Sequence, residues 1–250
     1  MSETPEITLV IPVYNEEGIV AESLRDLCAQ LDAERLDYEV LLAENGSRDR
    51  TVEIVQGLRE DLPRVDIFSY PEPNYGGALR EGIRRARGRF VICEEIDLCD
   101  VDFHLRALEL LRADEAEMVV GSKAMRGAHD ERPLFRRTAT KVYNGMLRVT
   151  LGFRGTDTHG LKAFRRDRVA PVAARCVVDR DVFASELVIR AQHDGVNVVE
   201  IPVDVHEKRA PSIGLIRRVP KVVSNLGRLM VSIHLHRDGR SEVPDGETEG

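Results

Sequence analysis

No CxxC pair occurs in this chain, and its four cysteines, at 28, 93, 99 and 176, show no pattern with histidine at zinc-finger spacing. That excludes a disulfide-stapled scaffold and a structural zinc site, and makes reduced thiols in a cytosolic setting the expectation. No apolar run approaches the roughly 20 residues needed to span a bilayer. The opening residues, MSETPE, have neither the basic nor the apolar part of a secretory signal. An excess of positive charge is also missing: 36 Lys and Arg against 43 Asp and Glu leave a net −7, against a general nucleic-acid binder. There are no internal repeats and no linker between two domains. What is present is 42% hydrophobic and 32% charged residues over 250 positions, enough for a full core in a soluble or peripheral chain.

The first half alternates strand and helix signals. Residues 7–14 (ITLVIPVY) form a β-branched apolar run, the mark of a strand buried on both faces. Asn15 is placed to cap a helix carrying Ile19, Leu24, Leu27, Cys28 and Leu31. Further strands are expected at 38–43, 65–70, 89–96 and 117–120, with helices at 49–62, 76–87 and 103–111. Strands separated by such helices imply βαβ crossovers and a mostly parallel sheet. After Gly121 a basic helical segment covers 134–151 and a short stretch 162–166. A helix near 182–193 then precedes a strand pattern at 196–205.

Familiar nucleotide and hydrolase signatures are absent. There is no GxGxxG after a strand, no GxxxxGK[ST] and no GxSxG. Asn45-Gly46-Ser47 matches a glycosylation sequon, a chance match in a chain without a secretory signal. The ends of three expected strands are nonetheless chemically loaded: Tyr14-Asn15-Glu16, Glu44-Asn45-Gly46-Ser47 and Glu94-Glu95-Ile96-Asp97. Open parallel sheets bind ligands beyond the carboxyl ends of their strands, so these groups would converge on one crevice. Taken singly, each would read as a helix cap or a solvated turn.

In order, VIPVYNEEGIV, ENGSRDRT, NYGGALREGIRRARGRFVICEEIDLCD, GSKAMRG, RRTATKVYN, DTHGLKAFRR and EIPVDVHEKR resemble the family 2 glycosyltransferases, within them the polyprenyl- and dolichyl-phosphate hexosyltransferase branch. The resemblance covers about residues 7–230. It implies an α/β GT-A (nucleotide-diphospho-sugar transferase) fold, with a mostly parallel central sheet flanked by helices. It implies one domain over 7–236, with a nucleotide-sugar half (7–122), an acceptor half (123–212) and an amphipathic C-terminal helical segment (213–236). A disordered acidic tail over 237–250 would follow.

The same resemblance implies roles. Pro12, Tyr14, Glu16 and Glu44 would line the nucleotide pocket. Glu95 and Asp97 would hold Mg2+ or Mn2+ against the sugar diphosphate, as hard carboxylate oxygens suit these cations. Lys123, Arg136 and Arg137, with Thr140, would grip the pyrophosphate and the acceptor phosphate. Alone, Arg136-Arg137 would read as a solvated basic face. Glu44-Asn45 stands where the family has Asp-Asp, Glu95-Ile96-Asp97 where it has DxD, and Cys99 where a glutamine often follows. Cys99 with His104 is also a two-residue candidate for a soft metal, outweighed by an ordinary core or rim cysteine.

Asp157-Thr158-His159-Gly160 carries two readings. Asp157 orients the acceptor or serves as a general base and His159 meets a phosphate, or Asp157 caps a turn in which Gly160 supplies a positive φ. The segment from Leu215 to Ile233 places Val219, Val222, Val223, Leu226, Leu229 and Met230 at helical steps beside Arg217, Arg218, Lys221 and Arg228. It would lie on a cytoplasmic membrane surface or pack on the sheet. The expected activity is transfer of a hexose from GDP-mannose or UDP-glucose to a polyprenyl phosphate. It would take place in the cytoplasm or peripherally on the inner membrane face, alone or with a membrane-anchoring partner, and without nucleic acid. The alternatives are a soluble hydroxyl acceptor and a catalytically silent GT-A-like binding protein.

Overall fold

The apolar run that opens the chain becomes the centre of a sheet. In the computed structural model, which describes residues 4–125, 134–177, 182–204, 227–231 and 233, the strand β1 (Ile7–Val13) is buried along its whole length. Its side chains alternate between two layers, as the period of a strand requires. Ile7, Leu9, Ile11 and Val13 face a cluster with α1 (Val20–Ala33) and, further along the chain, α4 (Val101–Arg112). Val10 faces the opposite cluster, which includes Ala78, Leu79 and Ile83. The remaining elements are β2 (Tyr38–Glu44), α2 (Thr51–Gly57), β3 (Val65–Ser69), α3 (Tyr75–Arg85), β4 (Phe90–Cys93), β5 (Met118–Ser122), α5 (Leu134–Leu151), β6 (Lys162–Arg165), α6 (Arg166–Ala174), α7 (Phe183–His193) and β7 (Val198–Pro202).

The strands form one sheet in the order β3-β2-β1-β4-β6-β5-β7. β1, β2, β3 and β4 run parallel, as do β5 and β7, and β6 is inserted antiparallel between β4 and β5. The chain moves outward from β1 to β3, then crosses through α3 to the other side of β1. That reversal marks the carboxyl ends of β1 and β4 as the expected ligand crevice, the place where such sheets take ligands. The expected mostly parallel α/β sheet is present, and the antiparallel β6 brings the second half of the chain to the same rim.

Several local expectations are corrected. Asn15 does not cap α1, whose N-cap is Ile19; Asn15 sits at φ +55, and its Oδ1 accepts from Arg48 N at 2.8 Å. The second helix starts at Thr51, after Asp49 accepts from Thr51 N, and ends at Gly57, five residues short of the expected boundary. α6, which contains Pro171, has no counterpart among the sequence expectations. Gly160 does not have positive φ. A Cβ there would lie 1.6 Å from the Gly121 carbonyl oxygen, so glycine is needed for close passage of two backbones.

Most of the expected 213–236 helix and all of the 237–250 tail lie outside the described residues. In the described part, residues 227–231 are helical, and Leu229 and Ile233 are buried in the cluster that contains Leu147, Leu151 and Phe153. Arg228 and Val231 are exposed. Two residues of the apolar stripe thus pack on the protein. No described helix is long and apolar enough to cross a membrane.

Candidate active site

The first wall of the crevice is built by the turn after β1 and the loop after β2. Asn45 N donates to Val13 O at 3.1 Å, Ser47 Oγ accepts from Asn15 N at 3.0 Å, and Thr51 Oγ1 accepts from Glu16 N at 2.8 Å. These bonds lock the two segments together, so Glu16 and Tyr14 are held by β2 as well as by β1. Tyr14 is 44% exposed, an aromatic face left open at the rim, while Pro12 is buried in the strand. Glu44 is buried, its carboxylate accepting from Ser47 N across the tight turn at Gly46, whose φ is +87. Its carboxylate therefore shapes the loop that faces the crevice.

The second wall is the loop from β4 to α4. Asp100 caps α4, accepting from Phe103 N at 2.9 Å, and so fixes where the loop ends. Glu95 is open to solvent at the crevice, yet the surrounding walls and the Asp97 carboxylate push its pKa up. The pKa of Tyr75, at the start of α3, is pushed up by burial first and then by Glu95, Cys93 and Asp97. The Asp97 carboxylate that pushes the Glu95 pKa up makes this loop a candidate cation seat, because a bound cation would offset the repulsion. No group of three or more His, Cys, Asp or Glu among the described residues is arranged to hold a metal. An ion held by Glu95 and Asp97 would take its remaining ligands from substrate oxygens and water. The alternative soft-metal pair does not form: Cys99 Sγ lies 3.4 Å from Ile96 O, and His104 Nε2 is engaged by Glu94.

The third wall comes from the second half of the chain. Lys123, just after β5, lies 3.7 Å from Asp157, whose side chain is fully buried. Asp157 also accepts from His159 N at 2.9 Å, which makes the turn the sequence suggests. Glu200 on β7 holds this segment from behind, accepting from Thr156 N at 2.6 Å and Asp157 N at 3.1 Å. Lys162, the first residue of β6, is buried and donates to Gly160 O at 2.7 Å. Burial lowers its pKa to about 8, against the opposing pull of Cys93, Asp157 and Glu95. Both Lys123 and Lys162 favour the ionised form of Glu95, and Lys162 pairs in register with Cys93 across β4 and β6, beside the start of the acidic loop. His159 is exposed and stacks edge-on with Tyr143 at 5.4 Å. Arg137 lies on an exposed part of α5; Arg136 is in the same helix, its side chain outside the described residues.

The fold therefore pairs Lys123 with Asp157 and sets Lys162 beside the end of β4 that leads into Glu95 and Asp97. Sequence reasoning missed Lys162, Glu200, Tyr75 and the partner of Glu94. The available signals were a lone lysine in LKAF and a lone glutamate in VVEIPV, polar residues inside otherwise apolar strand patterns. Glu186 is buried and paired with Arg190 at 2.7 Å within α7.

Comparison with known proteins adds the relationship. The family model described as "Glycosyl transferase family 2" matches residues 8–172. Glycosyltransferase AglD of Haloferax volcanii is 31% identical over 221 residues, 86% of this chain and 35% of that protein. Dolichyl-phosphate beta-glucosyltransferase ALG5A of Trichomonas vaginalis is 24% identical over 252 residues, 96% of this chain and 76% of that protein. The chain spans 35% and 49% of the length of the first two curated relatives it matches. Among solved structures, glucosyl-3-phosphoglycerate synthase from Mycobacterium tuberculosis, in complex with Mn2+, UDP and phosphoglyceric acid, aligns with a TM-score of 0.63 at 18% identity. That alignment covers 90% of this chain and 78% of the other.

Proposed function

The chain belongs to glycosyl transferase family 2, and on that premise we propose that it moves a hexose from a nucleotide sugar, GDP-mannose or UDP-glucose, to a polyprenyl phosphate. The observation that supports this reading is the register of β4 with β6, which sets Lys162 beside Cys93 at the start of the loop carrying Glu95 and Asp97, with Lys123 following the neighbouring strand β5. An acidic seat for a divalent cation beside two ammonium groups suits a sugar diphosphate and a second phosphate held close together. The acceptor class follows the dolichyl-phosphate relative.

In this reading Tyr14, Glu16, Pro12 and the loop shaped by Glu44 receive the nucleotide. Glu95 and Asp97 hold Mg2+ or Mn2+, which when bound offsets charge on the departing nucleoside diphosphate. Lys123, Lys162, Arg136 and Arg137 orient the acceptor phosphate, and Asp157 fixes Lys123 in place. A phosphate oxygen attacks the anomeric carbon with inversion. As that bond forms, the carbon–oxygen bond to the diphosphate breaks, and the nucleoside diphosphate leaves with the electron pair. The acceptor phosphate is already ionised near neutral pH, so no general base has to take a proton. The work lies in the peripheral cytoplasmic face of a membrane, with 7–236 acting as one catalytic domain. Incubation with labelled GDP-mannose or UDP-glucose and polyprenyl phosphate tests it: label should enter an organic-extractable, acid-labile product. Label found only in water-soluble glycosides would overturn the lipid acceptor.

A further inference from the structure

Glu94 is one of three carboxylates that follow β4, and the fold separates it from the other two. Glu95 opens to the crevice, whereas the side chains of Glu94 and His104 are both fully buried beneath the loop. Glu94 Oε2 meets His104 Nε2, and Glu94 Oε1 accepts from Asp100 N at 2.9 Å. Among the described residues His104 Nδ1 has no hydrogen-bond partner. A ring protonated on Nε2 donates to Glu94 and leaves Nδ1 as a bare acceptor, the arrangement that avoids an orphaned buried donor. The loop between has its own compact form: Leu98 N and Cys99 N both donate to Glu95 O, at 3.0 and 3.4 Å, and Cys99 takes φ +47. His104 N in turn donates to Asp100 O at 3.2 Å. One buried carboxylate thus ties the end of β4 to the first turn of α4 twice, once through the backbone of Asp100 and once through the imidazole. The residues enclosed by that tie are Glu95 to Cys99, which include both crevice carboxylates.

We propose that Glu94 and His104 are positioning residues that set the geometry of the Glu95–Asp97 pair for a divalent cation. The proposal rests on the cation-binding role given to that pair above. Neither side chain reaches the crevice, so neither touches the ion or the substrate; they act by holding the loop. Hydrogen-bonded supports of this kind fix the direction of metal-ligating oxygens, and their loss weakens metal binding about 10- to 100-fold. Burial makes the pair exacting, because a single truncation strands a polar partner in an apolar layer.

The test is Mn2+ binding to the full-length chain, followed by electron paramagnetic resonance well below each variant's melting temperature. The double variant Glu94→Leu/His104→Leu is the informative one, as two apolar side chains leave no stranded charge and the layer stays filled. It should bind Mn2+ about tenfold or more weakly, since Asp100 N loses its acceptor. His104→Gln, which keeps a donor near the position of Nε2, should bind within about threefold of wild type. A merely structural pair would lower the melting temperature of the double variant and leave its Mn2+ affinity unchanged, which would overturn the proposal. Asp97→Asn separates the two levels. If it loses the ion while the double variant keeps it, only the positioning role is wrong. If it binds Mn2+ as wild type does, the cation reading falls and this proposal falls with it.

Discussion

The Asp157 carboxylate is fully buried, and its one cation within ion-pair distance among the described residues is the Lys123 ammonium at 3.7 Å. Among the described residues its Oδ2 makes no hydrogen bond, which leaves the Lys123 ammonium as the balancing charge. Asp157→Ala also removes the acceptor for His159 N. It should destabilise the protein by about 3 kcal/mol, the scale for breaking a buried pair. Asp157→Asn should cost less, because it keeps that acceptor. Urea unfolding checks both; equal midpoints for wild type and Asp157→Ala would contradict the pair's role.

Lys162 gives the site a pH dependence whose sign is fixed. Burial lowers its pKa from 10.5 to about 8. Between those values the unfolded chain binds the proton and the folded chain does not, so folding stability rises with pH. The penalty is present in full below about pH 8 and is relieved towards 10.5. Relative to Lys162→Met, wild-type stability should therefore climb by up to about 3 kcal/mol across that window. Guanidinium unfolding at a series of pH values reads this; a flat difference would mean Lys162 is not held in a desolvated position.

Gly160 offers a purely steric test. Gly160→Ala puts a Cβ 1.6 Å from the Gly121 carbonyl oxygen, and neither backbone can give way without moving β5 or the turn after Asp157. Overpacking of this kind costs about 3 kcal/mol or more. Gly57→Ala, where a Cβ meets nothing within 4 Å, is the control. Thermal melts of the two should differ sharply, and similar melting temperatures would show that the two backbones do not pass so closely.

The contrast between Lys162 and the apolar strands shows how far the residues alone reach. The run 7–13 is legible because strand burial is written into its composition, and the alternation after it announces crossovers. The burial of Lys162 depends on β6 slipping antiparallel between β4 and β5, a long-range pairing with no local signal. Asn15 misled for a related reason: its side chain is engaged by Arg48 N, 33 residues away, so cap chemistry is spent elsewhere. Glu94-Glu95-Ile96-Asp97 announces an acidic rim, but which carboxylate turns inward is decided by His104 on the next helix. Motif resemblance supplied Asp157 and Lys123; their pairing needed the fold.

Acceptor use is expected to depend on the basic helix. Arg136→Ala and Arg137→Ala should each weaken use of polyprenyl phosphate by about 1.5–3 kcal/mol, the range for a charge-assisted hydrogen bond. Nucleotide affinity should change little, because in the proposed reading Tyr14, Glu16 and the acidic loop would hold the donor from the other wall. Steady-state kinetics with varied acceptor, beside nucleotide titration of the same variants, separates the two effects. Normal acceptor kinetics in both variants would remove these arginines from the site.

The most direct measurement is transfer of labelled hexose to polyprenyl phosphate by wild type and by Asp97→Asn, each with Mn2+ and with excess EDTA. The account expects organic-extractable product from wild type with Mn2+, none with EDTA, and none from a folded Asp97→Asn. Full transfer by Asp97→Asn, or full transfer by wild type in EDTA, would contradict it.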